Sequence, residues 1–225
     1  MFQKTKIDSE LGHRVEQHLR EKGVHTPTTS YLQSAPSEKI EAITYHMHEA
    51  WKVLGLDLQD DSMIDTPKRI AKMMVLETCW GLLPDNFPKC TVIENKMGFD
   101  EMVLERDINV MSLCEHHGVV IDGVAHVAYI PGKKVLGLSK LNRIVEYFSR
   151  RPQVQERLTA QIYHTLAYIL ETPNVAVVID AVHYCVKSRG VEDTNSHTFT
   201  SYLGGAFKND PATRAEYMSM VRENR

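Results

Sequence analysis

The sequence lacks any apolar run long enough to cross a bilayer. Its opening stretch, MFQKTKIDSELGHRVEQHLR, is polar and charged and has no apolar segment of the secretory type. These two absences point to a soluble cytoplasmic protein without a membrane partner. Positive charge is not in excess either: 26 Lys and Arg face 29 Asp and Glu, a formal net charge of −3. No overall field draws in nucleic acid, so an anionic substrate would need a local basic cluster. Cysteine is scarce, with Cys79, Cys90, Cys114 and Cys185 only. In a reducing compartment these are core thiols, metal ligands or nucleophiles rather than disulfides. Repeats and low-complexity tracts are also lacking. What is present is a hydrophobic share of 43%, enough for a sizeable core.

The texture of the chain changes near residue 90. Residues 1–90 read as a helical segment, with a first helix over about 8–22 that stops at Gly23. A second helix is predicted from Ser37 as N-cap, with Ile40, Ile43, Met47 and Trp51 on one face. A third has Thr66 as N-cap and Pro67 in its first turn. Residues 91–225 read as a second, sheet-bearing unit. EMVLERDINVMSL, VVIDGVAHVAYIP, NVAVVIDAVHYCVKSR and NSHTFTSYLGGAF read as strands. Two helices, parted near Arg151-Pro152, lie between the second and third of these, and DPATRAEYMSMVREN closes the chain as a helix. The order strand-strand-helix-helix-strand-strand implies an α+β fold, an antiparallel sheet with two helices on one face. The Ser/Thr-rich strand suits an edge, either solvated or shared with another subunit.

Two pairs of neighbouring His and Cys stand out. Cys114-Glu115-His116-His117 offers a Cys-x-x-His spacing that a turn can close on one ion. His183-Tyr184-Cys185 falls on a predicted strand, where side chains two apart share a face. Thiolates with imidazole suit zinc. If Cys114, His117 and Cys185 bind, a fourth tetrahedral position stays open for water, as in a catalytic site. His116 and His183 would then remain beside the metal as proton-transfer groups. A closed shell that included His183 would instead be structural.

A basic cluster lies at Ser139-Lys140-Leu141-Asn142-Arg143. Ser139 reads as an N-cap, and Lys140 and Arg143 share a helical face where a phosphate could dock. Arg189, and the pair Arg69 and Lys72, are further cations whose value depends on convergence in space. Gln155-Glu156 at a helix start offers an amide and a carboxylate to the edge of guanine, although Glu is common at helix starts for electrostatic reasons alone.

The segments TPKRIAKM, CEHH, VAYIP, GLSKLNRIV, RRPQVQERLT, DAVHYCVKSRG and YLGGAFK resemble, in order, the GTP cyclohydrolase I family over about 66–208. YLGG departs from a family SLGG and touches no proposed catalytic group. The resemblance implies the tunnelling fold and an assembly of two face-to-face pentameric rings, a homodecamer with active sites between subunits. It implies Zn2+ on Cys114, His117 and Cys185, and His116 and His183 as catalytic proton carriers with Ser139 as a helper. It places Gln155 and Glu156 on the guanine and the triphosphate of GTP on Ser139, Lys140, Arg143 and Arg189, with Arg69 and Lys72 in support. The implied reaction is hydrolytic opening of the guanine imidazole ring, giving formate and 7,8-dihydroneopterin triphosphate, the first step of tetrahydrofolate or tetrahydrobiopterin biosynthesis. A zinc-stabilised nucleotide-binding module without turnover, and a related tunnelling-fold enzyme acting on a different pterin or deazapurine, are the competing readings.

Overall fold

The computed structural model describes residues 6–222. Helix α1 (Ser9–Glu21) is capped by Asp8, whose carboxylate accepts from Leu11 N at 3.0 Å. It stops at Gly23, which takes the left-handed φ of 70° that a helix end favours. Helix α2 (Pro36–Val53) starts two residues earlier than the sequence suggests, with Ala35 rather than Ser37 in the capping position and Pro36 in the first turn. Helix α3 (Thr66–Lys72) is likewise entered from Asp65, and its end widens into a π-type turn over Met73–Thr78.

The sheet portion begins with β1 (Val92–Glu94), then β2 (Val103–Cys114), β3 (Val120–Tyr129) and β4 (Lys134–Leu136). Helix α4 (Leu138–Ser149), the two-residue β5 (Pro152–Gln153) and α5 (Gln155–Leu170) follow. Next come β6 (Val175–His183), the single turn α6 (Tyr184–Lys187), β7 (Thr198–Leu203), α7 (Gly205–Asn209) and α8 (Pro211–Arg222). The last residues of the predicted closing helix, 223 and 224, lie outside the described part. The main sheet runs β5-β2-β3-β6-β7, antiparallel except for β5 on β2, while β1 and β4 form a separate ribbon. This is the α+β arrangement that the element order implied, with β7 on an edge as its polar alternation required.

β6 explains how the layers form. Val175, Val177 and Ile179 point into the main core, where α4 and α5 supply Leu141, Ile144, Phe148, Leu158, Ile162 and Leu166. Ala176 and Val178 point the other way and meet Phe207, Tyr217 and Val221 of α7 and α8. Because the strand is covered on both faces, it reads as a continuous apolar run rather than an alternating one. The C-terminal helices are therefore a second layer, additional to the two helices expected on one face. The N-terminal helix is part of the same body, since Val15 and Leu19 pack in the main core beside Phe87.

Helix α2 is different. It is 18 residues long and buries none of them fully, although Ile40, Ile43, Met47 and Trp51 lie at helical spacing. Exposed Tyr45, Val53, Leu54, Ile64 and Leu76 extend the same apolar texture over the region of α2 and α3. An amphipathic helix draws most of its stability from covering its apolar side, and here that side stays partly open.

Candidate functional site

The ends of β2, β3 and β6 are neighbours in the sheet, which brings the two His/Cys motifs together. Cys114 closes β2, and its N–H donates to Val119 O at 2.7 Å as the chain turns. Gly118 completes the turn by donating to Cys114 O at 2.9 Å with φ of 65°, a conformation open to glycine at little cost. On the other side, β6 ends at His183, which pairs in register with Ile121 of β3. The prediction that Cys185 lies on the strand is corrected here. The chain turns helical at Tyr184, so Cys185 reaches the site from the α6 turn and not from a strand face.

The outcome is a compact donor set. One ligand atom each from Cys114, His117 and Cys185 lies within 4.8 Å of the other two. Cys114 Sγ is 3.8 Å from His117 Nδ1 and 4.0 Å from His116 Nδ1. Burial raises the Cys185 thiol above its ordinary pKa, the nearby Cys114 sulfur raises it further, and Arg189 opposes both. A thiol that resists ionisation next to a second sulfur is an arrangement that a dication relieves, by stabilising the thiolate. Two sulfurs and one imidazole thus fit a zinc-type ion and leave one tetrahedral position without a protein donor from this trio.

The surroundings hold the site firmly. Glu115 N donates to Gln153 O at 3.0 Å, and the Glu115 carboxylate takes two hydrogen bonds from Arg157 of α5. His183 Nε2 lies 2.7 Å from Gln155 Oε1. Burial lowers the pKa of His183, and the Glu156 carboxylate partly offsets this. Glu156 itself is exposed at the first turn of α5, whereas Gln155 is buried with both ends of its amide bonded to protein. Of the adjacent pair, Glu156 is thus the one free to meet a ligand.

The phosphate candidates are elsewhere. Ser139 is not the N-cap of α4. Gly137 takes that position and no side chain caps the helix, because the helix starts one residue before the serine. Ser139 is exposed, and Lys140 and Arg143 are half-buried next to Cys90, whose thiol burial pushes up to about 12 while both cations pull it down. On the same turn, Asn142 Nδ2 donates to Glu105 Oε1 at 3.1 Å, near the start of β2. Cys114 is at the other end of that strand. Nine residue steps at about 3.3 Å each separate the two ends by roughly 30 Å. Arg189 sits at the metal end and is exposed, while Arg69 and Lys72 are exposed on α3, Arg69 being 3.6 Å from Asp65. A single chain therefore brings His116, His183, Glu156 and Arg189 to the three-donor cluster, and leaves Ser139, Lys140 and Arg143 far from it.

The sequence reading missed Arg151. Arg151-Pro152 reads in the sequence only as the break between two helices, yet Arg151 is 1% exposed and stacks on the Tyr147 and Phe148 rings at 4.7 and 4.8 Å. It donates to Thr26 Oγ1 at 3.3 Å and to Gly81 O, tying the N-terminal segment to the floor beneath β5. Only its place beside two aromatics in Tyr-Phe-Ser-Arg-Arg could have hinted at this.

The family model described as GTP cyclohydrolase I matches residues 43–222. A protein of Shewanella sp. strain ANA-3 named GTP cyclohydrolase 1 is 57% identical over 214 residues, covering 95% of this chain and 99% of that protein. One from Shewanella loihica with the same name is 58% identical over 211 residues, covering 94% and 98%. The matched residues 43–222 include the CEHH turn, the α5 start and the α6 turn, and on the strength of these matches the chain belongs to the GTP cyclohydrolase I family.

Proposed function

We propose that this enzyme hydrolyses the imidazole ring of GTP, releases C8 as formate and recloses the product as 7,8-dihydroneopterin triphosphate. The observation that carries the reading is the trio Cys114, His117 and Cys185 with His116 and His183 beside it. Zinc is the ion this donor set suits, and when bound it supplies the Lewis acidity that makes water nucleophilic near neutral pH. The chain's own residues do the rest. The Glu156 carboxylate accepts from guanine N1–H and the exocyclic amine, a pairing that adenine lacks. His116 and His183 deliver and remove protons at the purine nitrogens as water adds to C8 and the C8–N9 bond breaks. A second addition of water to the resulting formamide releases formate and leaves a diamine. The ribose then opens and rearranges, with Ser139 as a proton helper, and its carbonyl carbon condenses with the diamine.

The triphosphate is held by Lys140, Arg143 and Ser139 together with Arg189, with Arg69 and Lys72 as outlying cations, and serves as a handle that fixes the base. The roughly 30 Å between α4 and the trio supports a pocket that takes these groups from two subunits. The uncovered α2 surface and the open β7 edge, with Phe199 and Tyr202 exposed, support such an assembly, a decamer of two pentameric rings. Among the described residues no helix is long and apolar enough to cross a membrane, and a cytoplasmic setting suits four unpaired thiols. Tetrahydrofolate or tetrahydrobiopterin synthesis would consume the product.

Incubation of the zinc-loaded protein with GTP tests this. Equimolar formate and a pterin with its characteristic fluorescence are expected. Tight binding of GTP with neither product would favour the module without turnover.

A further inference from the structure

The Gln155 side chain has a role that base recognition does not explain. It is 1% exposed at the first turn of α5, yet its amide is bonded at both ends. Nε2 lies 3.0 Å from Ile179 O, 2.8 Å from Thr198 O and 3.0 Å from Thr200 Oγ1. Two of these three are carbonyl oxygens, which can only accept, so the NH2 end of the amide must face them. Turning the amide over would set an oxygen against two carbonyls in a buried place. The remaining end, Oε1, faces His183 Nε2 at 2.7 Å. An amide oxygen can only accept, and therefore His183 Nε2 carries a hydrogen.

The hydroxyls beyond Gln155 are ordered in the same sense. Thr159 Oγ1 donates to Gln155 O at 2.7 Å, which uses its single hydrogen. Thr200 Oγ1, 2.7 Å from Thr159 Oγ1, must then donate to it and is free to accept from Gln155. The two amide hydrogens are shared among three acceptors, each contact has one possible donor, and the chain ties β6, β7 and α5 together behind the imidazole.

Building on the proposed reaction, we propose that Gln155 is a positioning residue that holds His183 in the tautomer with hydrogen on Nε2, so that Nδ1 is the nitrogen that exchanges protons with the substrate. The Nε2 side is closed, because Gln155 has no acidic hydrogen to pass on and its amide is anchored by backbone carbonyls. A histidine fixed in this way cannot turn its ring or swap tautomers between turnovers without breaking a buried bond.

The test uses the zinc-loaded enzyme with 15N-labelled histidine, with the His183 signals assigned from their loss in His183→Gln. At a pH where the ring is neutral, one-bond coupling should place the hydrogen on Nε2. Hydrogen on Nδ1, or an even mixture, overturns the proposal. This measurement needs no substrate, so it stands apart from the question of whether wild-type protein releases formate from GTP. In Gln155→Ala, zinc content should be unchanged, kcat should fall about 100-fold and KM should move by less than about threefold, the pattern of a lost general acid–base alignment. A rise in KM with loss of discrimination between GTP and ITP, at unchanged kcat, would make Gln155 a guanine ligand and overturn the assignment. Thr200→Val, which removes one acceptor and keeps both carbonyls, should preserve the Nε2 hydrogen; its loss there also counts against the proposal.

Discussion

Arg157 grips Glu115 through both terminal nitrogens, Nη1 donating to Oε2 at 2.6 Å and Nη2 to Oε1 at 3.0 Å. The pair is mostly shielded, and the guanidinium holds the Glu115 carboxyl below its ordinary pKa. Two parallel bonds fix orientation as well as distance. They fasten the turn that carries Cys114 and His117 to the helix that carries Glu156. Arg157→Lys keeps the charge and loses the fork, so zinc affinity measured by chelator competition should fall about tenfold. Unchanged affinity would mean that the backbone bonds of the turn suffice to set the ligands.

Cys185 and His116 should separate cleanly by metal content. Cys185→Ser removes one of two sulfurs from the three-donor cluster, and the protein should purify with little zinc and release no formate. His116 lies 4.0 Å from Cys114 Sγ but is not one of the three convergent donors. His116→Ala should retain stoichiometric zinc and lose about 100-fold or more in kcat. If metal is lost with His116 as well, the histidine belongs among the ligands.

The His/Cys pairs were legible in the sequence because metal ligation needs particular atoms at short spacing, and Cys114 with His117 fall within four residues. The order of elements along the chain was legible because β2, β3, β6 and β7 carry β-branched runs bounded by turns. What stayed hidden depended on three dimensions. HYC continues an apolar run and reads as strand, but β6 ends where the chain bends towards the ligand turn. Ser139 reads as a cap from its residue type, while the backbone turns helical already at Leu138. Arg151 looks like a solvated charge in RRP, and only the packing of Tyr147 and Phe148 around it shows a buried guanidinium. The distance between α4 and the trio could not be read at all, because it is set by the length of β2.

Glu156 should decide which base is accepted. It is exposed beside His183, close enough for its charge to raise the histidine against the effect of burial. Glu156→Gln replaces an acceptor pair with an amide that offers one acceptor and one donor to guanine. Steady-state kinetics should show kcat/KM for GTP falling by about 1000-fold or more, with zinc content intact. The preference for GTP over ITP, which lacks the exocyclic amine, should shrink with it. A variant that keeps that preference would remove Glu156 from the guanine edge.

His164 gives a pH dependence that is independent of the metal. Its ring lies against Tyr163 and Tyr202 and near His18, and Tyr202 Oη is 3.1 Å from Nε2. Burial, then the charges of His18 and Lys22, lower its pKa from 6.5 to about 4 in the folded protein. The unfolded chain takes up the same proton near 6.5. Between these values the unfolded state binds more protons, so native stability falls as pH drops from 6.5 towards 4, and this group contributes no slope above 6.5. Because the ring is only half-buried, solvent screens the effect to an order of 1 kcal/mol. His164→Gln keeps a polar group near Tyr202 and removes the titration. Urea unfolding of the two proteins should show the variant losing less stability than wild type between pH 7 and about 4.5, and equal losses would place the His164 titration outside the folding equilibrium.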